Sequence, residues 1–194
     1  MSAINDEHLA IVQIAYYVQD LDEAIERWHA NFGLGPFIVN RHMKPRRSIY
    51  RGTPMSLDIS AAFVQSGEIQ IELLCQHNPE PSAFRDMFPN DEEGLHHVAV
   101  FPENYARLLS HYQARGFEIA TEIEVGTALG AAFIDTRALL GHMLELYRDN
   151  GSIRSFYSLV EDAAKNWDGH SLTIDVRELS SYLQQRQSRT TNPG

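Results

Sequence analysis

Hydrophobic and polar positions in the first third of the chain predict a strand followed by a helix. Residues 11–18 alternate between two faces, which is typical of a strand with one side in the core. Asp20 is placed to cap a helix, Glu23 completes a capping box, and Gly33 can end the helix in a left-handed conformation. Apolar residues at helical spacing support this interpretation: Leu21, Ala24, Ile25, Trp28 and Phe32.

The same pattern returns near the middle of the chain. In "LHHVAVFPENYARLLSHYQARG", residues 95–116, His97, Ala99 and Phe101 share one face of a predicted strand. A helix follows in the same segment, and Gly116 ends it. The order strand, helix, glycine therefore occurs twice.

Each series continues into a predicted hairpin. Residues 61–74 read as two strands joined by a tight turn at Ser66 and Gly67, and residues 131–147 read as a similar pair. Between helix and hairpin each half has room for one more strand, around 36–50 and 117–126. Each half is thus predicted to be a βαβββ module, and an internal repeat is a strong indicator of fold. The predicted class is α+β.

The repeat also predicts the boundaries of the modules. The first module covers 9–76 and the second 95–149, while 77–94, with two X-Pro steps and several acids, is the linker. Residues 150–194 lie outside the repeat and are predicted to form a helical extension with a polar tail. This extension either covers the open cavity or forms a dimer contact; the sequence leaves both open.

Composition narrows the functional classes. A formal net charge of −10 argues against nucleic acid or an anionic membrane as partner, and no apolar run is long enough to span a bilayer. Cys75 is the single cysteine, which excludes an intrachain disulfide and a thiolate-rich metal site. The acidic N-terminal stretch does not resemble a signal peptide, so a cytoplasmic location is predicted.

Four polar residues interrupt apolar strands at equivalent places in the two halves: Gln13 and Glu72 in the first, His97 and Glu145 in the second. Any one alone is ordinarily a solvated or hydrogen-bonded residue. If the halves pair with pseudo-two-fold symmetry, however, the four side chains converge. Oxygen and imidazole donors suit a divalent ion such as Zn, Ni, Co, Mn or Fe, which would neutralise the two buried carboxylates. His96 faces the other way from His97 and is predicted not to be a ligand.

Two further features are candidates for substrate chemistry. Asp58 shares a strand face with Ser60 and Ala62, and is either a second acid or base in the cavity or a solvated residue at a strand end. A basic stretch that includes Arg46, Arg47 and Arg51 either holds an anionic substrate or is a solvated hairpin.

The segments "IVQIAYYVQDLDEAIERW", "IQIELL", "GLHHVAV" and "MLELY" resemble the vicinal oxygen chelate superfamily, particularly its glyoxalase I and methylmalonyl-CoA epimerase branches. The resemblance covers about residues 9–149 and implies paired βαβββ modules that form an incomplete barrel around a metal. It also implies metal ligands at Gln13, Glu72, His97 and Glu145.

The resemblance further implies a metal-dependent isomerase, epimerase or glyoxalase-type lyase. Such an enzyme would stabilise an enolate or enediolate of a carbonyl substrate, such as a thioester or an anionic conjugate. Glu145 would move the proton and Glu72 would be its counterpart. The alternative is a metal-free binding protein of the resistance type. An extradiol-type dioxygenase fits less well because Gln13 departs from its two-His, one-Glu set. Relatives are often homodimers, so a homodimer is predicted, and the site could form within or between chains.

Overall fold

A computed structural model describes residues 9–89, 91–125, 129–148 and 151–191, without the side chains of 129 and 187–191. The N-terminal stretch, on which the prediction of no signal peptide rests, lies outside these ranges. The strands are β1 (Ile11–Tyr17), β2 (Phe37–Met43), β3 (Arg47–Tyr50), β4 (Thr53–Met55), β5 (Ile59–Ser66), β6 (Ile69–Gln76), β7 (Gly94–Val100), β8 (Ile119–Val125), β9 (Leu129–Ile134), β10 (Met143–Arg148) and β11 (Thr173–Asp175). The helices are α1 (Leu21–Phe32), α2 (Ala83–Met87), α3 (Tyr105–Ala114), α4 (Arg137–Leu140), α5 (Ser152–Lys165) and α6 (Leu179–Thr191). Within the described ranges, no helix combines the length and apolar character that crossing a bilayer requires.

The strands form one open sheet in the order β11-β2-β5-β6-β1-β7-β10-β9-β8-β3-β4. The first half of the chain contributes β2, β5, β6 and β1, and the second contributes β7, β10, β9 and β8 in the matching order. The two halves meet where β1 and β7 pair antiparallel. The predicted α+β fold, with paired βαβββ modules in an incompletely closed sheet, is confirmed.

A hairpin in the first half departs from the predicted single strand around 36–50. Pro45, which has no N–H to give to a ladder, lies between β2 and β3. β3 turns into β4 through Arg51 and Gly52, whose φ angles of 44° and 82° are typical of a two-residue type I′ turn. β3 then pairs with β8, with Ser48 opposite Ile123. A segment of the first half therefore extends the sheet of the second.

The first helix forms as its sequence predicts. The Asp20 carboxylate accepts hydrogen bonds from the backbone N–H groups of Asp22 and Glu23 at 2.9 and 3.0 Å. Gly33 ends the helix with a φ of 66°, a conformation that costs glycine little. The apolar face of the helix, including Ala24, packs on the sheet.

We expect Asp20→Ala to lower the free energy of unfolding by about 1 kcal/mol, because two N–H groups at the start of α1 lose their acceptor. Urea denaturation followed by circular dichroism would measure this loss. Glu26→Ala, an exposed change in the same helix, is the control and should stay within about 0.5 kcal/mol of wild type. Equal effects of the two changes would contradict the capping role.

The C-terminal extension joins the same core. β11 adds to the edge of the sheet beside β2. On α5, Val160 and Ala163 are fully buried and pack with Ile38 of β2 and Leu179 of α6. The extension thus contains a helix whose apolar face is held by the core.

Candidate metal centre

Three of the predicted ligands come together where the two halves of the sheet meet. Glu72 lies on β6, His97 on β7 and Glu145 on β10, and one potential ligand atom from each lies within 4.8 Å of the other two. Their relative exposures are 8%, 1% and 3%. Two ionised carboxylates buried at this spacing are strongly disfavoured unless a cation or a proton compensates them.

The strand register explains why these side chains meet. Ala15 on β1 is paired with Glu72 on one side and with His97 on the other. Ala99 on β7 is paired with Glu145. Glu72 is thus opposite the residue two positions after Gln13, and Glu145 is opposite the residue two positions after His97. The equivalence that the repeat suggested is present in the backbone pairing.

His96 fixes the hydrogen-bonding state of His97. Nε2 of His96 lies 3.0 Å from the carbonyl oxygen of Ala83 and donates to it, which leaves Nδ1 of His96 as an acceptor. That Nδ1 lies 2.8 Å from Nδ1 of His97, which must therefore carry the proton. In the neutral His97 ring, Nε2 then presents a lone pair towards Glu72 and Glu145.

The Nε2 atom of His97 lies 3.0 Å from Oε2 of Glu145 and 3.5 Å from Oε2 of Glu72. Even so, neither Nε2 of His97 nor Oε2 of Glu145 has a hydrogen-bond partner of acceptable geometry among the described residues. Orphaned buried atoms that face one another are the arrangement that a shared cation would satisfy. One imidazole nitrogen and two carboxylates are donors that fit a divalent transition metal.

The charges of the cluster are strongly coupled. Burial disfavours a charged imidazole, but the two carboxylates outweigh it and raise the pKa of His97 to about 9. Burial also raises the pKa of Glu72, although His97 opposes that shift. The positive charge that the carboxylates need can come from a proton on His97 or from a bound cation.

Gln13 is completely buried beside the cluster, and its side chain is engaged. Its amide nitrogen donates to Oε1 of Gln70 at 2.8 Å, and its amide oxygen accepts from the Tyr147 hydroxyl at 3.2 Å. The amide oxygen retains a second lone pair. The structure thus groups three predicted ligands directly and holds the fourth in an adjoining network.

The cluster lies in the wall of a cavity of about 280 Å³. Apart from Glu72, His97 and Glu145, the lining is mostly apolar, and no Lys or Arg is among the described residues that form it. Several aromatic rings contribute: Phe63, Phe84, Phe133, Tyr147, Phe156 and Tyr157. The extension covers one side, because Ile153 and Phe156 of α5 are part of the wall. The sequence left two roles open for the extension, a cover for the cavity or a dimer contact. The structure supports the role as a cover.

Asp58 does not line this cavity. Its carboxylate lies 3.0 Å from Nδ1 of His42, and the three residues Asp58, His42 and His77 form a separate, more exposed group. Lys44 also lies within 3.8 Å of the carboxylate. A role for Asp58 in the chemistry of the central cluster stays a prediction, and it is not part of the function proposed below.

The three arginines considered for substrate binding are also outside the cavity lining. Arg46 and Arg47 pair with Glu124 at 2.7 and 3.1 Å, across the junction of β3 and β8. Arg51 pairs with Asp86 at 2.6 Å and Asp135 at 2.9 Å, and also with Glu118. These contacts give the basic stretch a structural role between the two halves, and its role in substrate binding stays a prediction.

Two site residues were not identified from the sequence. His96 was excluded as a ligand because simple alternation places it on the face opposite His97, and this facing is wrong: the pairing of β1 and β7 shifts register here, and the Nδ1 atoms of the two rings lie 2.8 Å apart. The role of His96 in orienting His97 was missed, although two adjacent histidines were a visible signal. Tyr147 comes two residues after Glu145 and therefore shares its strand face. Its hydroxyl links β10 to Gln13 on β1, a contact that no local pattern predicts.

Comparison with solved structures identifies proteins that share this fold. No curated protein matches the chain. Among solved structures, a hypothetical protein from Bacillus halodurans C-125 superposes with a TM-score of 0.53 and 17% identity, covering 75% of this chain and 98% of that one. A variant of Streptomyces coelicolor methylmalonyl-CoA epimerase, in complex with 2-nitronate-propionyl-CoA, gives a TM-score of 0.50 and 18% identity, covering 74% of this chain and all of that one.

A family model matches residues 12–134. The matched range begins in β1 and ends at β9, so it contains the first half and most of the second. Gln13, Glu72 and His97 fall within it, while Glu145 and α5 lie beyond it. The chain belongs to the Glyoxalase/Bleomycin resistance protein/Dioxygenase superfamily, the vicinal oxygen chelate group that its sequence resembles.

Proposed function

We propose that the protein is a metal-dependent isomerase, epimerase or lyase that moves a proton at the carbon next to a carbonyl group. The observation that supports it is the buried cluster of Glu72, His97 and Glu145, whose orphaned Nε2 and Oε2 atoms face each other in the wall of an apolar cavity. The family contains enzymes of this kind, and structures with the same fold include an epimerase.

In this proposal Glu72, His97 and Glu145 hold a divalent cation, with the amide oxygen of Gln13 as a candidate fourth donor. Such a cation would act as a Lewis acid towards the substrate oxygens and stabilise the negative charge of an enolate. His96 holds Nδ1 of His97, so that in the neutral ring Nε2 is the nitrogen that would face the cation. Tyr147 holds Gln13 in position from β10.

Glu145 is the proposed base. Its carboxylate has two oxygens, so one could face the cation while the other accepts the proton from substrate carbon. Glu72, on the other side of His97 and also in the cavity wall, is the group that could return a proton. The apolar lining limits competition from water at the reacting carbon.

The test combines metal analysis with proton exchange. Protein purified without chelator should contain about one divalent ion per chain when measured by inductively coupled plasma mass spectrometry. The same protein should exchange the proton next to the carbonyl of a suitable ketone or thioester for deuterium, which proton NMR detects. Absence of bound metal, even after incubation with Zn, Ni, Co, Mn and Fe(II) salts, would overturn the proposal.

A metal-free binding protein is the second candidate. It is favoured by the raised pKa of His97, because a proton on that ring can balance the carboxylates without a cation. This alternative predicts that the cavity binds a small apolar molecule equally well before and after dialysis against chelator, without proton exchange. The metal analysis above separates the two functions.

The hydrogen bond from His97 to His96 should support metal affinity. We expect His96→Leu to weaken the affinity by about 10–100-fold, because the imidazole of His97 loses the partner that fixes its tautomer and orientation. Competition with a fluorescent chelator would measure the change. His111→Leu on α3 is the control and should leave the affinity unchanged. Equal affinities in the two variants would show that His96 only fills space.

Metal binding should depend on pH through His97. In the metal-free protein its pKa is about 9, so the ring is protonated at neutral pH and a cation must displace that proton. We therefore expect metal affinity to rise by about tenfold per pH unit towards pH 9 and then to level off. The same chelator competition at a series of pH values would test this, and an affinity independent of pH would contradict the role of His97.

A further inference from the structure

The helix α5 gives the cavity a wall that the family match does not include. The matched residues end at 134, and α5 begins at Ser152. Val160 and Ala163 anchor the helix in the core, Phe156 packs edge-on against Phe63 with ring centroids 5.0 Å apart, and Arg154 lies over the Phe101 ring at 4.4 Å. A helix held at three places along its length is a fixed part of the site.

The lining of the cavity indicates which ligands it would accept. The described residues around it include six aromatic residues and no Lys or Arg. Among these residues, only Glu72, His97 and Glu145 have ionisable groups of the acidic or imidazole type. An anionic group buried against this wall would have no lysine or arginine to pair with, since any charge on His97 is already balanced by Glu72 and Glu145, and an unpaired buried charge is strongly disfavoured. The wall therefore favours a ligand with a neutral, aromatic body.

Tyr157 supplies a polar group in the aromatic wall. Its hydroxyl is buried and has no hydrogen-bond partner of acceptable geometry among the described residues. Its ring lies 6.1 Å from that of Tyr147, whose own hydroxyl donates to Gln13. Burial raises the pKa of Tyr157 well above its ordinary value, so the hydroxyl keeps its proton and is available as a donor. An unsatisfied buried hydroxyl is destabilising, and an oxygen on a bound ligand would satisfy it.

We propose that the substrate is an uncharged aryl carbonyl compound held beneath α5, and that the Tyr157 hydroxyl donates a hydrogen bond to one of its oxygens. This deepens the function proposed above and rests on the same site. Tyr157 is then a specificity-determining residue contributed by the C-terminal extension. The aromatic wall would contact a flat apolar ring of the ligand, and the Tyr157 hydroxyl would donate to an oxygen of the ligand.

Two probes of nearly equal shape isolate the effect of charge. In 4-nitroacetophenone and 4-acetylbenzoate the ketone is the same, and a neutral nitro group replaces a carboxylate far from the carbonyl. Calorimetry with the full chain should give at least about tenfold tighter binding of the neutral ketone. The measurement is made with metal-free and with zinc-loaded protein. Equal affinities for the two ketones, tighter binding of the carboxylate, or binding of neither would overturn the proposal.

Tyr157→Phe tests the hydrogen bond. It should weaken binding of the neutral ketone by about fivefold and leave the metal content unchanged. Tyr182→Phe is a matched control, because its hydroxyl is also buried and unpaired among the described residues but does not line the cavity. Equal effects of the two variants would remove Tyr157 from the ligand site.

The outcomes also separate this inference from the proposed function. Protein that binds no metal but shows the expected preference and Tyr157 dependence would retain the inferred ligand class and lose the enzymatic proposal. Protein that binds metal and exchanges a proton, but has no preference for the neutral ketone, would retain the enzyme and lose the inference.

Discussion

Replacing Glu145 by glutamine should lower the rate of proton exchange by about 10²–10⁴-fold, which is the usual contribution of a well-placed general base. Glutamine keeps an oxygen that can face the cation but cannot accept the substrate proton. Its shape also matches that of the buried glutamate, so the packing of β10 is preserved. The rate would be measured by NMR with deuterium, at metal concentrations that saturate wild type and variant.

Binding of an unreactive ketone to the same variant provides the comparison. If Glu145 acts as the base, the loss of rate should be much larger than the loss of affinity for the ketone. Glu72→Gln tests the other carboxylate of the cluster under the same conditions. Full activity of the Glu145 variant would remove this residue as the base, whatever its effect on metal content.

Replacing His97 by alanine should lower metal affinity by more than about 100-fold, because loss of a supporting residue alone typically costs 10–100-fold and this change removes a ligand. It also leaves Glu72 and Glu145 together in a buried site without the imidazole that can balance them. Metal content after dialysis, measured by mass spectrometry, would show the loss directly.

Folding must be checked separately for this variant, since the two carboxylates would repel each other. His97→Gln keeps a neutral donor of similar length, and it should recover part of the affinity that alanine loses. A thermal melt of both variants would confirm that they fold. Wild-type metal content in a folded His97→Ala variant would contradict the proposed centre.

The strand repeat and its polar interruptions could be predicted because both depend on local periodicity. Alternation along β1, β6, β7 and β10 assigns each side chain to a face, and two-fold repetition then aligns the faces. This predicted that the side chains of Glu72, His97 and Glu145 converge, and the register brings them together across β6, β1, β7 and β10. The same reasoning identified α1 from its cap and its closing glycine.

What could not be predicted depends on contacts between distant segments. Arg46, Arg47 and Arg51 looked like a free basic surface because their partners, such as Glu124 and Asp135, come more than seventy positions later. The helix α5 was predicted, but its place over the cavity is set by packing against the edge of the sheet. Local sequence patterns carry no information about such pairings.

The hairpin of β3 and β4 ties the stability of one half of the molecule to that of the other. Its backbone bonds to β8 and the ion pairs of Arg51 with Asp86 and Asp135 would all break if the halves came apart. We therefore expect the two halves to unfold in one cooperative transition. If two chains exchanged modules, the hairpin of β3 and β4 would have to pair with β8 of the other chain.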